Sequence, residues 1–201
     1  MATTQTSICN QALDLIGEQP ITAISDDKPR ANALNREYEP VLREVLGSSP
    51  WTFARKRVEL TQNVTPPIFG WKYQYTLPGD FIHTVRLNGV EVWENSDEFE
   101  IEGGSLLTNE ASCQLQYVFY QTDTSKFSAL FTGAFATLLA ARCSAAIRQD
   151  GAALGQALEE RYFRRYLPKA RMKDGNQRKV RPYNRVSESN FIRARRASTR
   201  G

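Results

Sequence analysis

The sequence predicts a mainly α fold with inserted β structure (α+β): a four-helix bundle, a small antiparallel β-region between helices 2 and 3, and an extended C-terminal tail. Three observations predict it. Apolar residues recur at helical spacing near both ends of the chain. The middle is a series of short β-branched and aromatic runs cut by turn signals. After Pro168 the apolar periodicity stops and the chain turns strongly basic. An amphipathic helix cannot hide its apolar face alone, so helices from the two ends are expected to close over one another. The expected division is a folded body over residues 1–167 and a flexible tail over 168–201.

The first helix is expected over about residues 6–17. Thr6 or Ser7 can cap it, Ile8, Ala12, Leu15 and Ile16 form its stripe, and Gly17 and Pro20 close it. The second is expected over about 27–47, with Leu34, Tyr38, Val41, Leu42, Val45 and Leu46 on one face and Gly47 as its stop. Pro40 lies inside that stripe. It removes a backbone donor, so a kink or split is expected there.

From about 57 to 121 the runs RVEL, KYQYTL, FIHTVRL, VEVWE, FEIE, SLLTN and QLQYVFYQ read as strands. Asn88-Gly89 predicts a hairpin, and FEIEGGSLLTN predicts a second. Helix returns at about 125–149, with Phe127, Leu130, Phe131, Ala134, Phe135, Leu138, Leu139 and Ile147 on a wide apolar face. A last helix follows at about 152–167, carrying Leu154, Leu158, Tyr162 and Tyr166, and Pro168 is expected to end it.

The net charge of +4 conceals an asymmetry. Residues 1–160 hold 12 Lys and Arg against 20 Asp and Glu, whereas residues 161–201 hold 14 Lys and Arg against Asp174 and Glu188. An acidic body with a basic end points to an anionic partner for that end. Cys9, Cys113 and Cys143 form no CxxC pair and read as buried free thiols of a reducing compartment. No leader-like apolar run precedes Lys28. The longest uncharged apolar-rich run, Phe127–Ala141, is shorter than the roughly 20 residues of a membrane span, so no membrane partner is expected.

No enzyme signature emerges, and neither a cofactor nor a metal is expected. His83 is the single histidine and reads as a strand residue. Gly103-Gly104 reads as a hairpin turn rather than a phosphate cradle. The carboxylates of ENSDEFEIE lack EF-hand spacing and read as a solvated or interface acidic face. A peptidoglycan hydrolase would need a placed carboxylate pair, which no motif supplies.

Two stretches ask for a partner. In SSPWTFARKRVEL, Trp51 and Phe53 either plug the junction between the helices and the first strand or make a contact between subunits, with Arg55 and Arg57 at the rim. In the tail, Arg171, Arg178, Lys179, Arg181, Arg185, Arg193, Arg195 and Arg196 suit either nucleic-acid phosphates or an acidic protein surface. Tyr183, Phe191 and Ile192 are apolar anchors that phosphate binding does not need, and they favour a protein. The alternative is a nucleic-acid-binding accessory protein that uses the same basic tail.

ICNQALDLIGEQPI followed by ALNREYEPVLREVLGSSPWTFARKRVEL resembles the head-to-tail adaptors of short-tailed bacteriophages, the tail tubular protein A-like family. The similar pattern is a short helix ending in LIGE-P-I, a helix carrying Tyr38 and Leu46, and then Trp51, Phe53, Ala54, Arg57 and Leu60. YTLPGDFI, Tyr75 to Ile82, is similar to the family's LP-DF strand start. The resemblance covers roughly residues 7–165, and the basic tail matches nothing in it. It implies a virion protein of the tail neck, made in the host cytoplasm and not an enzyme. It further implies a homo-oligomeric ring of about twelve copies beneath the portal protein, with genomic DNA passing through the channel. A downstream tail or nozzle protein would sit on the ring, and C-terminal segments would grip the portal.

Overall fold

The computed structural model describes residues 3–91 and 98–177. Helix α1 (Gln5–Ile16) starts from a reciprocal cap: Thr4 Oγ1 accepts the Ser7 N–H at 3.1 Å, and Ser7 Oγ accepts the Thr4 N–H at 2.9 Å. It ends at Gly17, whose φ of 75° is a left-handed position that favours glycine. Arg148 then donates to the Ile16 carbonyl at 2.9 Å, placing a cation where the helix dipole is negative. Asn10 holds the following loop from both sides, donating to the Ile21 carbonyl and accepting the Ile21 N–H.

Helix α2 (Pro29–Gly47) runs unbroken through Pro40, against the expected split. Pro40 and Arg36 are both exposed, so solvent can satisfy the carbonyl that loses its donor. Helix α3 (Ala129–Ile147) is capped by Ser128, whose Oγ accepts the Phe131 N–H at 3.2 Å. It is the central helix. Every residue from Ala134 to Ala140 is buried, against α1, α2 and α4 (Gly151–Arg161). By length and composition α3 is apolar enough to cross a membrane, and here 56% of it is buried inside the protein.

Pro168 does not end the last helix. After α4 the chain makes a π-helical turn, Tyr162–Tyr166, and continues as α5 (Leu167–Gly175). Proline lacks the N–H for an interior turn, and its ring collides with the carbonyl four residues back. A widened turn just before it relieves both problems. The folded body therefore reaches beyond the expected boundary at 167: Leu167, Ala170 and Asp174 are buried.

The β-part overturns the expected bundle with a small insert. Among the described residues seven strands form two antiparallel sheets: β1 (Arg55–Leu60), β2 (Tyr73–Thr76), β3 (Phe81–Leu87), β4 (Val90–Glu91), β5 (Phe99–Glu102), β6 (Ser105–Thr108) and β7 (Cys113–Phe119). One sheet has the order β1-β7-β3-β4 and the other β2-β6-β5. Leu60, Tyr75, Leu87, Leu106, Cys113, Leu115 and Tyr117 come from both sheets and make a second core, separate from the helical one. The sequence predicts only a small antiparallel β-region here. The alternation of the strands instead serves two faces: on β7, Leu115 and Tyr117 enter the second core while Val118 enters the helical core. The molecule is an α+β body of a helical layer and a two-sheet β-part. Asn88 (φ 47°) and Gly89 (φ 84°) make the β3–β4 turn, and Gly103 and Gly104 make the β5–β6 turn.

Candidate interaction surface

The segment joining the two layers is organised around Trp51. Its ring is fully buried, its Nε1 donates to the Val45 carbonyl at 2.8 Å, and it meets Phe131 edge-on at 5.0 Å between centroids. Phe53 packs between Phe127 and Phe131, at 5.5 and 4.8 Å. Both aromatics lie against the helical core where α2 gives way to β1. Arg55 folds back and donates to the Pro50 carbonyl from Nε at 3.0 Å and Nη2 at 2.7 Å. Arg57 is exposed on β1, opposite Gln116 of β7.

The end of α5 is clasped to this junction. The Asp174 carboxylate, only 6% exposed, accepts the Thr52 N–H at 2.9 and 3.1 Å and the Thr52 Oγ1–H at 2.6 Å. Arg171 donates to the Ser48 carbonyl at the end of α2. Burial raises the Tyr162 hydroxyl to about 12, although a hydrogen bond with Ser48 works the other way. Arg171, expected in the tail, thus belongs to the folded body. The other tail residues singled out from sequence (Arg178, Lys179, Arg181, Tyr183, Arg185, Phe191, Ile192, Arg193, Arg195 and Arg196) lie outside the described residues.

Two further features had no sequence-level reading. The connection from β1 to β2, residues 61–72, carries Val64, Ile68 and Phe69 at 102, 98 and 86% exposure. Its base is fixed. Asn63 donates its N–H to the Gln74 carbonyl at 2.8 Å and accepts from Thr76 Oγ1 at 2.9 Å, and Trp71 Nε1 donates to Glu100 at 3.0 Å. Between Pro66-Pro67 and Gly70 the apolar pair Ile68-Phe69 stands out from a pinned frame. The signal was present in the sequence as an uncharged run with prolines, but only exposure separates it from a core segment.

The second feature is a cleft of about 410 Å³ on the face of the four-stranded sheet turned away from the second core. Arg57, Gln116 and Arg86 stand in register across β1, β7 and β3, and Glu59, Gln114 and Gly89 complete its walls. Arg86 pairs with Glu91, and its buried Nε has no partner among the described residues. The Arg57 side chain makes no hydrogen bond or ion pair among them, while its backbone belongs to the β1–β7 ladder.

The chemistry elsewhere is subdued. Among the described residues no group of three or more His, Cys, Asp or Glu is placed to hold a metal. The acids Glu94 and Asp97 fall outside those residues. His83 is held below its usual range by burial and by the charge of Arg55. All three cysteines are buried thiols, and burial raises Cys9 and Cys143 to about 12 and Cys113 to about 11.

Compared with known proteins, the chain matches no family model and no curated protein.

Proposed function

We propose that this chain is a structural connector rather than an enzyme: a head-to-tail adaptor of a short-tailed phage virion. Copies form a ring under the portal, extend the DNA channel and offer a seat to the next tail component. The observation that carries the reading is the clasp of Asp174 on Thr52. It ties the end of the last helix to the start of the β-part, a few positions before Arg178 in the sequence. The segment from Arg178 onward holds eight Lys and Arg against Glu188 alone. A cationic sequence that follows a body of opposite charge suits capture of an acidic protein surface. The sequence resemblance supplies the portal as that surface.

The test is a variant ending at Gln177, which keeps Ala170 and Asp174 and therefore the clasp. The full chain should co-sediment with portal rings of its virion, and the shortened chain should not. Undiminished binding by the shortened chain overturns the reading. Tight binding of the full chain to duplex DNA, with affinity falling steeply as salt rises, favours the nucleic-acid alternative instead.

A further inference from the structure

We infer that the edge of β5 is a strand-acceptor site, and that its occupant is a segment of the chain's own basic end, residues 191–195. The inference goes beyond the connector reading and stands without it.

The edge is the end of an unfinished apolar row. Tyr75 of β2 stands opposite Leu106 of β6, and Leu106 opposite Ile101 of β5. Tyr75 and Leu106 are buried, whereas Ile101, next in the row, is 43% exposed. Phe99 shares the face of Ile101 and packs against the second core. Glu100 and Glu102 alternate onto the other face. Among the described residues β6 is the only strand beside β5, so the backbone groups on its far side have no ladder partner there.

Charge decides what can add to this edge. Residues 87–125 hold eight Asp and Glu and no Lys or Arg. Glu100 accepts a hydrogen bond from Trp71 Nε1, and neither it nor Glu102 makes an ion pair among the described residues. Lys72 precedes β2, with β6 between that strand and β5, and pairs with neither acid. A second copy's β5 is a poor occupant, since its carboxylates would stand against these in like-charge pairs. A strand with cations on one face and apolar side chains on the other fits.

Residues 191–195, which lie outside the described residues, have that alternation in sequence. Phe191, Arg193 and Arg195 fall on one side of an extended strand, and Ile192 and Ala194 on the other. Ile192 and Ala194 would extend the row of Leu106 and Ile101, which sets Arg193 and Arg195 against Glu100 and Glu102. Alternation alone makes this match, so it holds in either strand direction. The segment contains no proline, and each of its amides can donate to a ladder. Pro182 disqualifies residues 180–186, the other stretch of the basic end that mixes apolar and cationic side chains.

Reach puts the contact within one chain. Gln177 lies against Thr52, with 3.2 Å between its Oε1 and Thr52 Oγ1. The thirteen residues from there to Phe191 can span at most roughly 45 Å. A body of this size has a radius of gyration of about 15 Å, so that span reaches across it. A segment tethered in this way acts at an effective concentration of about a millimolar, which favours its own edge over a neighbour's.

Hydrogen exchange tests this in the full chain. The β5 amides that β6 leaves unpaired should exchange about tenfold or more slowly in the full chain than in the variant ending at Gln177. Arg193→Glu with Arg195→Glu, which changes no residue of the described body, should abolish that protection. Adding Glu100→Lys with Glu102→Lys should restore it by reversing both sides of the contact. Equal exchange in the full and shortened chains, indifference to the arginine pair, or a charge reversal that restores nothing overturns the contact. Protection that grows with protein concentration assigns the edge to a neighbour's segment and overturns the contact within one chain. Portal co-sedimentation reads the connector proposal separately. Protection without portal binding counts against that proposal alone, and portal binding without protection counts against this contact alone.

Discussion

Asp174 and Thr52 lie 122 positions apart and meet through three hydrogen-bond contacts, from the Thr52 N–H at 2.9 and 3.1 Å and from its hydroxyl at 2.6 Å. The pair joins the end of the last helix to the first residue of the turn that launches β1. It is the polar seam between the helical layer and the β-part. Asp174→Ala leaves the half-buried Thr52 N–H without its acceptor. The expected cost is about 1–3 kcal/mol, read as a lower urea midpoint with unchanged slope. A midpoint equal to wild type would show that the seam bears no weight.

Trp51 combines two kinds of attachment that can be separated. Trp51→Ala empties a fully buried site and should cost roughly 3–5 kcal/mol. Trp51→Phe keeps an aromatic against Phe131 but drops the bond to the Val45 carbonyl, so a smaller loss of about 1–2 kcal/mol is expected. Equal losses in the two variants would contradict this division.

Gly155 and Gly151 let α3 and α4 approach. A Cβ on Gly155 would stand 2.5 Å from Ser144 Oγ and 2.9 Å from the Ala141 carbonyl oxygen; on Gly151 it would stand 2.0 Å from the Ser144 carbonyl oxygen. In a free helix, glycine to alanine gains about 1 kcal/mol. Here the sign reverses. Gly155→Ala should lose about 1–3 kcal/mol and Gly151→Ala more, because backbone rather than a movable side chain is struck. Thermal melts of the two variants would refute the close approach if either were stabilised.

His83 should make the fold acid-sensitive. Burial, and then the charge of Arg55, lower its pKa in the folded state below the ordinary 6.5. The unfolded chain therefore takes up the proton first. Stability is whole above about pH 6.5 and declines as pH falls towards the folded value. His83→Gln should lose less stability than wild type between about pH 7.5 and pH 5, the carboxylates contributing equally to both. Parallel pH profiles would assign the acid loss elsewhere.

Local chemistry was legible because it acts over a few residues. The Asn88-Gly89 and Gly103-Gly104 turns fall where a left-handed backbone demands them. Trp51 and Phe53 were marked as candidates for the junction where they lie, though exposure was needed to settle Trp51 into the core. Pro168 as a stop, and a split at Pro40, misled for one reason: a helix tolerates proline when solvent or a widened π turn takes up the lost hydrogen bond, and neither is written in the local sequence.

By itself the sequence determined the order of the elements, the turn positions and the contrast between an acidic body and a basic end. Tertiary structure decided that the middle runs divide into two sheets around their own core, since a strand's two faces are assigned only by what packs on each. It also decided that α5 belongs to the body, through Ala170 and Asp174, and that Ile68 and Phe69 face water. Apolar side chains look alike in a sequence; burial depends on partners distant along the chain, and only the folded arrangement supplies or withholds them.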